Sequence, residues 1–121
     1  MGSRASRDWK RSPPELVDRF LAATSELPGV EHRQMFGYPA AFANGHLVTS
    51  LHEARWIVRL PEDGLVELER LGATPFEPMP GRPMRGYAAF PADMVANPGA
   101  LQPWLERALA RVLQMPPKKG R

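Results

Sequence analysis

The 121-residue chain has no cysteine. Disulfides, thiolate nucleophiles and cysteine-bound zinc are therefore excluded together. Histidine is scarce: three are present, at His32, His46 and His52, and no dense ligand motif surrounds them. A zinc site needs three or four converging ligands, so the histidines read as separate side chains and no metal or other cofactor is expected. No apolar run approaches the roughly 18 residues that a membrane span requires. The first residues, MGSRASRDWKR, are charged throughout and lack the apolar centre of a secretory signal. A cytoplasmic location fits both observations. No Gly-x-Ser-x-Gly turn presents Ser50 or Thr49 as a nucleophile, and Gly81-Arg82-Pro83 is too short and proline-bound for a phosphate loop. The expectation is a protein without catalytic residues.

Positive charge is also sparse where a nucleic-acid face would need it. The net charge is +3, yet residues 1–13 carry +3 (Arg4, Arg7, Lys10 and Arg11 against Asp8) and residues 114–121 carry another +3. The segment between has nine arginines against twelve acids, or −3. Basic ends flank a mildly acidic body, which is not the footprint of a folded DNA-binding surface. Trp9, among Arg7, Lys10 and Arg11, offers base stacking or contact with a membrane surface, although a solvated basic arm is the commoner meaning of such a segment. The expected organisation is an N-terminal arm over 1–13, one domain over 14–115 and a disordered basic tail over 116–121.

What is present is a regular pattern of elements. Ser12-Pro13-Pro14-Glu15 reads as a capping box that opens a helix, with Leu16, Val17, Phe20, Leu21 and Leu27 on one side and Pro28-Gly29 as the stop. Arg33–Phe36 is a short extended run ended by Gly37. Asn44-Gly45 joins Ala40–Ala43 to His46–Leu51 as a tight hairpin, because both turn positions favour φ > 0. In Arg55–Leu60, Trp56, Val58 and Leu60 alternate with Arg55, Ile57 and Arg59, as in an antiparallel strand covered on one face. Pro61 and Gly72 bracket a second helix with Leu65, Leu68 and Leu71 inward. Asn97 caps a last helix whose stripe is Leu101, Trp104, Leu105, Ala108, Leu109 and Val112. The order is α-β-β-β-β-α-β-α, an α+β domain built on an antiparallel sheet of five to six strands.

Between the last two elements lies PFEPMPGRPMRGYAAFP, residues 75–91, with five prolines. Proline fixes φ and removes a donor, so residues 78–83 can be neither an ordinary helix nor a central strand. Met79, Met84, Tyr87 and Phe90 are too apolar for a solvated linker. The reading is a stiff loop over Glu77–Pro83 that feeds a core-facing strand from Met84 to Phe90.

Three stretches then line up: Arg33-Gln34-Met35-Phe36-Gly37, Asn44-Gly45-His46-Leu47, and Phe76-Glu77-Pro78-Met79 through Tyr87, with Trp104 in the last helix. Together they resemble the N-terminal domain family of TfoX/Sxy, named for a bacterial competence regulator, over about residues 14–117. The resemblance implies a secretion-chaperone-like fold, a sheet with helices packed on it, and a non-enzymatic binding or regulatory module linked to transcription or competence through protein partners. The family motif usually continues with two glycines, whereas Tyr38 follows Gly37 here. The full-length regulators carry a second, helical domain that this chain does not reach.

Arg33, Arg82 and Arg85 are the cations of interest, since a guanidinium on a stiff loop makes planar contacts with carboxylate or phosphate at little entropic cost. The expected recognition surface joins Arg33, Phe36 and Gly37 to Glu77, Arg82, Arg85 and Tyr87, for a protein partner or a small anionic ligand. Arg82 paired with Glu77, or simply solvated, is the plainer alternative. A second reading is an enzyme or ligand-binding protein that uses these arginines with His46. A homodimer through a sheet edge or the Ile57 face is also expected.

Overall fold

The structure, a computed structural model, describes residues 10–118. Trp9, Arg7 and the rest of the expected arm to residue 9, and residues 119–121 of the expected tail, lie outside the described residues. The element order is α1 (Pro14–Ser25), β1 (Glu31–Met35), β2 (Tyr38–Ala43), β3 (His46–His52), β4 (Arg55–Arg59), α2 (Glu62–Arg70), β5 (Thr74–Pro75), β6 (Tyr87–Ala89), α3 (Ala92–Val95) and α4 (Pro98–Leu113). Among these residues the strands form one antiparallel sheet in the order β1-β2-β3-β4-β6-β5. The expected α+β fold on an antiparallel sheet is what the chain adopts. Two short elements go beyond the expected order: β5, two residues long, and α3, a single turn, both too brief to leave a periodic signature.

The core sits between one face of the sheet and helices α1 and α4. Leu16 and Phe20 of α1 meet Leu101, Trp104, Leu105, Ala108, Leu109 and Val112 of α4, over Trp56 and Val58 of β4. The Trp56 ring packs on Phe20 at 5.3 Å and edge-on to Phe90 at 6.4 Å between centroids. The strands cross this core on tight turns. Asn44 and Gly45 take φ of 58° and 81°, as a two-residue hairpin requires.

Four local expectations need correction. Ser12 does not cap α1: its hydroxyl donates to the Glu53 carbonyl (2.6 Å), and Pro13 occupies the cap position. Asn97 precedes α4 without a side-chain cap bond. Leu71 is 55% exposed, because α2 ends at Arg70 and the chain turns away before Leu71 can face inward. Ile57 is 1% exposed rather than an open strand face. It lies in a second cluster with Phe76 and Ala89, against which Met84 and Tyr87 pack. Trp56 and Val58 point to the helices, so Ile57, between them, points to the opposite face, and the proline-rich segment covers it there. The Ile57 face is therefore closed to a second copy.

Candidate functional site

The β1–β2 connection is the two-residue turn Phe36-Gly37, with φ of 56° and 85°. A bulky side chain in the left-handed region is unusual and costs on the order of 1–2 kcal/mol. The turn holds Phe36 outward, 69% exposed. Its flanking residues, Met35 and Tyr38, pair across the hairpin.

The proline loop is stapled at its base and turns sharply at its tip. At the base the Met84 N–H donates to the Phe76 carbonyl (2.8 Å), and the Phe76 side chain is buried in the second cluster. At the tip, Met79-Pro80-Gly81-Arg82 has proline second, glycine third at φ 76°, and a bond from Arg82 N–H to the Met79 carbonyl (2.9 Å), the pattern of a type II turn. The Glu77 carboxylate accepts from the Gly81 N–H at 3.4 Å. Strand β6 begins at Tyr87, not Met84, because residues 84–87 form another turn around Gly86, at φ 85°.

These two features meet. Met35 and Phe36 line one small recess, about 30 Å³, with Phe76, Pro78 and Met84. Beside it are two open clefts. One, about 450 Å³, runs between the β3–β4 turn (His52, Glu53, Arg55) and Pro75, Glu77, Pro78 and Pro80. The other, about 670 Å³, lies between Lys10–Ser12 and the Gln34–Pro39 turn. The segment entering α1 is tied across it: Lys10 N–H donates to the Glu53 carboxylate (3.1 Å) and the Tyr38 hydroxyl donates to the Lys10 carbonyl (2.6 Å). Burial, and behind it the nearby Glu53 charge, pushes the Tyr38 phenol above its ordinary value. Tyr38 lines both this cleft and the small recess.

The expected site residues are brought together only in part. Arg82 and Arg85 are exposed, and neither makes an ion pair among the described residues. Arg33, unlike them, already has a carboxylate: it pairs with Glu31 at 3.0 Å, and its guanidinium lies 4.8 Å over the Phe42 ring. Tyr87 packs against the second cluster under the Arg59 guanidinium (5.4 Å), and burial raises its phenol. His46 is at the far end of β3 from the loop, where Nε2 bonds the Pro116 carbonyl (2.8 Å). Asn44 and Lys118 complete this clasp, the amide donating to the Met115 carbonyl and the Lys118 N–H to the Asn44 carbonyl.

His52, expected to be one of three separate and partly exposed histidines, is instead built into the site. It is 4% exposed, with its ring between Tyr38 (5.0 Å) and Phe76 (5.3 Å). Arg55 Nη2 lies 3.2 Å from Nδ1. Arginine can only donate, so Nδ1 accepts and the ring proton belongs on Nε2. Burial, then the Arg55 charge, lowers its pKa, against a smaller opposing effect of Glu53. Its signals in the sequence are position, next to Glu53 and three residues from Arg55, and a six-residue spacing from His46 along one strand face. No three His, Asp or Glu side chains converge on a metal position among the described residues.

The architecture is a small α+β domain with helices on one sheet face and a stapled proline loop on the other. A family model for the TfoX N-terminal domain matches residues 22–112, and the chain belongs to that family. No curated protein matches it. No helix among the described residues is long and apolar enough to cross a membrane.

Proposed function

We propose that this TfoX N-terminal domain is a non-enzymatic binding module, acting in the cytoplasm, whose recognition surface is the corner where the Phe36-Gly37 turn meets the proline loop. Its partner is a protein segment that carries acidic residues beside apolar ones, and any part in transcription or competence regulation is exercised through that partner. The observation that carries this reading is one of composition in place. Phe36 (69% exposed) and Met79 (56% exposed) stand on tight turns, beside two arginines that no carboxylate of the described chain neutralises. Exposed aromatic and methionine side chains with arginine are what interface centres are enriched in. Both turns are fixed by backbone hydrogen bonds, proline or glycine, so little conformational entropy is lost on docking.

Peptide display against the purified domain should enrich sequences with Asp or Glu flanking an aromatic or aliphatic residue. Phe36→Ala and the pair Arg82→Ala/Arg85→Ala should each weaken the selected peptides by roughly tenfold or more. Thermal stability should hardly move, because all three side chains are on the surface. Selected peptides without acidic bias, or binding undiminished by the double arginine variant, would show that this corner is not the docking surface.

A further inference from the structure

The sheet has two edges, and they are closed in different ways. At one, β5 is Thr74-Pro75, too short and too proline-bound to accept another strand. At the other, β1 is five residues long, with Glu31, His32, Arg33 and Gln34 all exposed. Among the described residues, no backbone group of 30–34 bonds to anything beyond the β2 ladder. We infer that β1 is a self-recognition edge: it pairs antiparallel with β1 of a second copy, in the register that sets His32 opposite His32 and Glu31 opposite Arg33. This surface is separate from the corner proposed above.

The backbone limits the registers open to this edge, and the charges choose between them. Met35 and Tyr38 flank a two-residue turn, so they form a hydrogen-bonded pair, and Arg33 and Glu31 likewise direct their N–H and C=O groups toward β2. The groups of Val30, His32 and Gln34 therefore point outward. A symmetric antiparallel partner must match these outward residues with one another. Centred on His32, the pairing joins His32 to His32 and Val30 to Gln34 by backbone bonds. Glu31 and Arg33 of opposite copies then fall at the non-hydrogen-bonded positions, where side chains are closest. A shift of one step, centred on Arg33, also matches outward groups, but it sets Arg33 against Arg33 at the closest position. Like charges there are destabilising. The two Glu31–Arg33 contacts thus favour one register over its neighbour.

The same residues explain why the edge does not accept any strand. Charged and polar side chains on an edge discourage unselective pairing. Only a strand with the reciprocal order of charge, which a second copy supplies, satisfies them. The in-strand Glu31–Arg33 pair does not compete, because an exposed pair of this kind contributes little, and the guanidinium has donors for both carboxylates.

Sedimentation velocity of the full chain over a concentration series reaching the millimolar range reads the result directly. The wild type should shift from monomer to dimer, less so in high salt. Arg33→Glu makes both cross-strand pairs repulsive and should weaken the dimer by roughly tenfold or more; Glu31→Arg should do the same. The double reversal Glu31→Arg/Arg33→Glu restores complementarity and should return the dimer to within roughly threefold of wild type. Gln34→Pro removes an outward N–H without touching the β2 ladder and should abolish the dimer, with circular dichroism unchanged. A wild type that stays monomeric throughout overturns the proposal. So does a single reversal that dimerises as well as wild type, or a double reversal that does not recover.

Discussion

Replacing Phe76 with alanine tests the link between the second cluster and the proline loop. The ring is buried against Ile57 and Ala89, with Met84 and Tyr87 beside it, edge-on to His52 at 5.3 Å and under the Arg55 guanidinium at 5.4 Å. Core Phe→Ala changes cost about 3–5 kcal/mol. This cluster is small and two of its members are only partly buried, so the lower end applies, about 3 kcal/mol. Within that figure the cation–π and ring contacts account for about 1–2 kcal/mol. For a domain of this size, such a loss corresponds to a melting temperature lower by roughly 10–15 °C. Urea denaturation gives the free energy.

The local consequence is more telling than the global one. The Phe76 carbonyl accepts from Met84 N–H, and the Met84 carbonyl from Tyr87 N–H, so the ring anchors the backbone on both sides of Arg85. Without it, opening of residues 77–86 should become easier, and trypsin should cut after Arg85 faster relative to sites elsewhere in the folded chain. Phe76→Leu, which keeps an apolar side chain, should fall between. A variant that loses less than about 1 kcal/mol and is cut no faster at Arg85 would refute the reasoning, because the ring would then be decorating the loop rather than holding it.

Two further predictions concern buried polar groups. Thr49 Oγ1 accepts from Trp56 Nε1 (2.9 Å) and donates to the Ile57 carbonyl (2.6 Å), with both side chains fully buried, so the near-isosteric Thr49→Val should cost about 1–3 kcal/mol in denaturant unfolding. A cost near zero would mean that the indole N–H finds another acceptor. His52 has a lowered pKa when folded, so the unfolded chain takes up its proton first as pH falls; stability should drop as pH falls from the ordinary histidine value, about 6.5, toward the folded pKa. His52→Gln should flatten that part of the pH profile, and an unchanged slope would assign the effect to another group.

Local pattern made the helices and the Asn44-Gly45 hairpin legible. The α4 stripe from Leu101 to Val112 is buried as its spacing requires, and the hairpin turns where two residues tolerate positive φ. What was not legible depends on distant chain. Phe36 occupies a left-handed turn position that its residue type does not announce, so the run Arg33–Phe36 read as one extended piece. Ser12 has the chemistry of a cap, but the Glu53 carbonyl, distant in sequence, takes its hydroxyl instead. Ile57 alternates like an exposed residue and is covered by a segment that begins nineteen residues later, at Phe76. His52 is buried by that same ring. Of the candidate site, the proline loop could be found from residue type and Phe36 from the Arg33–Gly37 motif, whereas Arg33 could not be separated from Arg82 and Arg85 without knowing which cation already has a carboxylate.

Strand β4 shows how one short sequence serves both halves of the molecule. Trp56 and Val58 fill the space under the helices, and the alternate residues Arg55, Ile57 and Arg59 receive the loop. Ile57 gives it an apolar seat, while Arg55 and Arg59 lie over Phe76 and Tyr87. The loop's own residues divide in the same way, with Phe76, Met84 and Tyr87 turned to the sheet and Met79, Arg82 and Arg85 left outside. A loop that only linked β5 to β6 would have no need of apolar side chains on both sides. The inward set accounts for stability, and the outward methionine and arginines, set beside exposed Phe36, are the side chains on which the proposed recognition rests.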